Sequence, residues 1–113
     1  MDKEHVMAWL EKHLPNEEPS NAIRSFAVKT HRLSWILKEV SMNPELDVLQ
    51  VDVEGLDDEV LYNCDLDETK PRVIHYEQMH LSQQRRAQLV EFLEGLDYKL
   101  YDLDKNVLAV RVH

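Results

Sequence analysis

The sequence predicts a mixed α/β domain in which a parallel βαβ unit is followed by a C-terminal antiparallel hairpin. Three observations carry this. The stretch Val48 to Gly55, VLQVDVEG, is an apolar run ending in two carboxylates and a glycine. A second run, RVIHYE over 72–77, ends in the same way, in Glu77 with His80 close behind. The tail DYKLYDLDKNVLAVRVH alternates around a polar break at Asp104 to Asn106 and reads as two strands and a turn. The two apolar runs are joined by about 18 residues that include a helical pattern, so they should be parallel and release their carboxyl ends at one edge of the sheet. Ligands in open α/β sheets sit outside such strand ends.

The remaining elements follow in order. Residues 2–14 predict a short amphipathic helix, with Asp2 as N-cap and Val6, Trp9, Leu10 and Leu14 on one face. Pro15 stops it, and PNEEPSN over 15–21 reads as a linker. AIRSFAVKT alternates at Ile23, Phe26 and Val28 and predicts a strand near a sheet edge. Thr30 is placed to cap a helix whose Leu33, Ile36, Leu37 and Val40 fall at helical spacing. MNPELD is a turn, 48–53 the buried strand, 56–63 a helix, and Asp65 to Pro71 a polar connection. Ser82 caps a helix running to about Glu94, with Gly95 as its C′ residue.

Composition bounds the function. The chain of 113 residues has the length of one domain, here a helix plus linker over 1–20 ahead of a body over 24–112. A net charge of −9 repels phosphate backbones, which argues against nucleic acid and anionic membranes as partners. No apolar run approaches the roughly 18 residues of a membrane span, and the N-terminus lacks a secretory pattern, so a cytoplasmic protein is expected. A single cysteine, Cys64, allows no disulfide within the chain and reads as a small buried hydrophobe. With two glycines, Gly55 and Gly95, a self-contained dinucleotide or P-loop site is excluded.

The candidate chemistry lies at the two strand ends. Alternation places Asp52 and Glu54 on one side of the strand, where they could deprotonate a hydroxyl or hold a divalent ion, and Gly55 turns the backbone. In a purely structural role Asp52 would bind loop amides and Glu54 would face the helix dipole. Glu77 and His80 could line the same pocket. One E-x-x-H copy off a helix is a weak metal signal, so no metal site is assigned. His75 reads as an interlayer histidine. His5, His13, His31 and His113 lack ligand spacing and read as surface residues. Trp9, Trp35, Met7 and Met42 are expected in the core.

VLQVDVEGLDDEVL, PRVIHYEQMHL, a helix and LDYKLYDLDKNVLAV, in that order, resemble the C-terminal half of an FkbM-type methyltransferase. FAVKTHRLSWILKE is similar to the strand and helix ahead of the family's D-x-E-G strand. The resemblance covers residues 24–112. It implies a partial Rossmann-like, class I methyltransferase sheet and transfer of a methyl group from S-adenosylmethionine to a hydroxyl oxygen. In the family the cofactor rests on a glycine-bearing loop and an acidic strand end that lie upstream of this stretch. The chain alone is therefore expected to hold no cofactor and to be inactive. Gln50 stands where many relatives carry lysine, and Asp57 where many carry glutamate.

At the two strand ends, the candidate catalytic residues are Asp52, Glu54 and Glu77, with Gly55 and His80 as the candidate substrate pocket. Two other functions compete with methyl transfer: a non-catalytic interaction module, homodimeric or bound to a missing-half partner, and a small metal-binding domain using Asp52, Glu54 and Glu77.

Overall fold

The computed structural model describes residues 3–16, 23–40 and 46–113. They divide into two units, one ending at Thr30 and the other spanning His31–His113. In the first unit, helix α1 (Lys3–His13) has no buried residue. Trp9 stacks on His13 four residues on, and the His13 ring donates to the Trp9 carbonyl. Residues 23–30 form no strand, and Phe26 and Val28 are exposed. Alternation gave this stretch the pattern of an edge strand, but a strand exists only by pairing, and no described neighbour pairs with it. Asp2, Met42 and most of the predicted linker and MNPELD turn lie outside the described residues.

The second unit contains helix α2 (Leu33–Glu39), strand β1 (Val48–Val51), helices α3 (Asp57–Asn63) and α4 (Leu66–Thr69), strand β2 (Val73–Glu77), helix α5 (Gln83–Gly95), and strands β3 (Tyr98–Leu103) and β4 (Asn106–Arg111). The sheet runs β1-β2-β4-β3. β1 and β2 are parallel, with Val48 opposite Val73 and Val51 opposite Tyr76. β4 is antiparallel to both of its neighbours. The expected mixed sheet is therefore present.

One face of the sheet is buried. Val51, Ile74, Tyr76, Val107 and Ala109 alternate inward and pack with Leu61, Leu89 and Leu93 of the helices. Register explains the match: Ile74 lies opposite Ala109 and Tyr76 opposite Val107, so each large side chain has a smaller one beside it. Fully burying a leucine-sized side chain contributes about 1.5–3 kcal/mol. The Tyr98 hydroxyl ends on this side and donates to the Pro71 carbonyl at 2.6 Å.

Several local expectations are corrected. Arg32, not Thr30, precedes α2, and no side chain caps it. The connection after α3 contains α4, entered and left through left-handed residues Asp65 and Lys70. Asp65 accepts from Ser34 at 2.7 Å and from Arg32 at 3.2 Å, which ties α4 to α2. Ser82 caps α5 as expected, accepting from the Arg85 amide. Gly95 is the last residue of that helix, and the left-handed residue after it is Asp97, at φ 65°. Trp35 is exposed and stacks on His31, and Trp9 is exposed as well, so neither joins the core.

Candidate functional site

The carboxyl ends of β1 and β2 meet at one edge of the sheet, as the parallel register requires. β1 stops at Val51, two residues earlier than its apolar pattern suggests. The period-two alternation therefore does not extend to Glu54. Instead Glu54 takes a left-handed conformation, φ 54°, and Gly55 follows at φ 97°. This turn sends Glu54 toward β2. Its Oε2 lies 3.3 Å from His80 Nε2, and Glu77 Oε2 lies 3.8 Å from the same nitrogen. Glu54, Glu77 and His80 each offer one ligand atom, and these atoms lie within 4.8 Å of one another. Glu77 ends a strand and His80 sits in the following turn, so the pair is off any helix.

Asp52 is not part of this cluster. It is exposed and borders a hollow of about 440 Å³ between α2, β1 and α3, lined by Leu33, Ile36, Leu49 and Val60 with polar groups from Gln50 and Asn63. The structure thus brings together Glu54, Glu77, His80 and the Gly55 turn, and sets Asp52 beside a separate cavity.

Two residues that the sequence did not single out for the site build its floor. Asp57 and Asp58 occupy the first turn of α3 and are buried. The Asp57 carboxylate accepts from the Glu77 amide at 3.1 Å and from the Val53 amide at 3.4 Å, so one side chain fastens both strand ends. The amide-binding role considered for Asp52 belongs to Asp57. Asp58 is paired with Arg85, whose guanidinium also donates to the Gly55 carbonyl at 3.0 Å. The Asp58 hydrogen bond raises the Arg85 pKa further. Two acidic residues directly after a strand-glycine turn were the available signal, because a helix N-terminus favours carboxylates there.

Gly55 packs against His80. A methyl group in place of its hydrogen would lie 3.1 Å from His80 Cβ. Beyond the cluster, Gln78 donates to the Asp102 carboxylate at 2.8 Å and to the Asp104 carbonyl at 2.7 Å, joining the hairpin turn to the end of β2. Cys64 is buried, its thiol pushed up to about 11 by desolvation, and it donates weakly to the Leu61 carbonyl. That makes it a packing residue rather than a nucleophile.

An adenosyl cofactor needs backbone that can approach it closely, usually at a glycine-bearing turn. Here the space beside Gly55 is filled by His80, and Gly95 closes a helix. No helix among the described residues is long and apolar enough to cross a membrane.

No curated protein and no solved structure matches the chain. A family match does exist: the Methyltransferase FkbM domain aligns with residues 3–100, most of the length, including both acidic strand ends and the helix between them. The chain belongs to the FkbM methyltransferase domain family.

Proposed function

We propose that this chain is the acceptor-side part of an O-methyltransferase, completed by a cofactor-holding segment that the described residues do not supply. The observation that carries the reading is the convergence of Glu54, Glu77 and His80 at the shared end of two parallel strands. An imidazole between two carboxylates is suited to take a proton from an acceptor hydroxyl as the oxygen attacks a methyl group. Asp52, at the mouth of the neighbouring hollow, would contact the acceptor rather than its reacting oxygen.

The test is methyl transfer from radiolabelled S-adenosylmethionine to a panel of hydroxyl compounds. It is run with the chain alone and with the chain fused behind the cofactor-binding half of a longer family member. Label incorporated only by the fusion, and lost on Glu77→Gln, supports the reading. Transfer by the chain alone, one-to-one heat with S-adenosylmethionine in a calorimeter, or a fusion that is inactive or indifferent to Glu77→Gln overturns it.

A second reading is favoured by the outer edge of β1. It has no strand partner among the described residues, and Val48 on it is 61% exposed. Unpaired edges recruit strands. In this reading the chain is an interaction module that dimerises. A monomeric mass by light scattering at high micromolar concentration counts against it.

A further inference from the structure

We infer that Glu54, Glu77 and His80 form a binding site for a divalent transition cation of the Zn²⁺ or Mn²⁺ type. The first support is geometric. Two donors on one ion at bond lengths of about 2.1 Å stand roughly 3.0–3.4 Å apart in tetrahedral or octahedral arrays. The His80 nitrogen lies 3.3 Å from Glu54 Oε2 and 3.8 Å from Glu77 Oε2. All three donor atoms lie within 4.8 Å of one another, and rotation of the half-exposed Glu54 and His80 side chains would have to close the wider separations onto one ion.

The second support is the donor set. One imidazole nitrogen with two carboxylate oxygens suits Zn²⁺ or Mn²⁺, whereas Ca²⁺ and Mg²⁺ favour oxygen alone.

The third is charge. The arginines nearest the cluster in sequence are committed elsewhere: Arg85 to Asp58 and the Gly55 carbonyl, Arg86 to the carbonyls of Leu81 and Met79. Two carboxylates facing one imidazole carry a surplus of negative charge that a dication neutralises. Three protein donors leave coordination positions open; with the cation bound, His80 is a ligand rather than the base, and an acceptor hydroxyl oxygen held by the cation would lose its proton to bulk water instead. This last role rests on the acceptor-side reading; binding of the cation does not.

The experiment is calorimetric titration of the full chain with ZnCl₂ and, separately, MnCl₂, without S-adenosylmethionine or an acceptor. One-to-one binding is expected for at least one of the two ions, weakened at least about tenfold by Glu77→Gln and by His80→Gln. His31→Gln, which alters a different histidine, should leave it unchanged. Circular dichroism checks that each variant is folded. In the unaltered chain, Mn²⁺ should broaden the His80 ring resonances before those of His31 and His13, a reading that needs no variant. No binding of either ion at millimolar concentration, equal binding by both site variants, or broadening that begins at another histidine overturns the inference. Because neither methyl donor nor acceptor is present, any of these results would leave the methyl-transfer reading to its own test.

Discussion

Replacing Asp57 by asparagine tests the claim that one buried carboxylate holds the two strand ends together. The side chain is fully buried and accepts from the Glu77 amide at 3.1 Å and the Val53 amide at 3.4 Å. Hydrogen bonds to a charged acceptor contribute about 1.5–3 kcal/mol each, and the longer of these two belongs at the low end. Asparagine keeps the volume and one acceptor oxygen but turns an N–H₂ group toward the other amide. One bond is lost, one is weakened to a neutral one, and an amide is left facing a donor. The expected loss is about 2–3 kcal/mol out of a typical total of about 5–15. For a unit the size of His31–His113 that corresponds to a fall in Tm of about 10–20 °C. Urea unfolding followed by circular dichroism measures it directly. Asp52→Asn, at an exposed position one residue beyond β1, should change stability by less than about 0.5 kcal/mol. A loss at Asp57 as small as that would refute the clamp.

Two further outcomes follow from the same geometry. Gly55→Ala places a methyl group 3.1 Å from His80 Cβ at a φ of 97° and should cost about 1–3 kcal/mol, read by thermal melting; an unchanged melt would show that the turn is not constrained. Cys64 gives an alkaline signature. Its thiol is raised to about 11 from an ordinary value of 9.0, so between these limits the unfolded chain has lost a proton that the folded chain keeps. The stabilisation is complete below about pH 9 and fades toward pH 11, by about 2 kcal/mol in all. Cys64→Ala should flatten that part of the stability curve, although Tyr76 and Tyr98, raised by burial as well, keep some slope. Equal slopes in the two proteins would contradict a desolvated thiol.

The amino-acid sequence by itself determined the βαβ unit, its parallel sense, the helix capped by Ser82 and the hairpin, which are written in local periodicity, in capping chemistry and in connection length. The family was legible in another way, as the resemblance of an ordered succession of segments to a known pattern. The sequence also placed Glu54, Glu77, Gly55 and His80 at one edge of the sheet, because parallel strands end together. Only the tertiary structure decided which acidic residues do what. Asp52, Asp57 and Asp58 look alike in the sequence, yet Asp57 and Asp58 are buried at the base of the site and Asp52 is exposed beside another cavity. The difference arises where β1 stops at Val51 and the backbone turns through positive φ at Glu54 and Gly55, which cancels the alternation a strand would impose. Residues 23–30 make the same point from the other direction: a strand-like pattern states a preference for a pleated, half-buried surface, and pairing with a neighbour decides whether a strand forms.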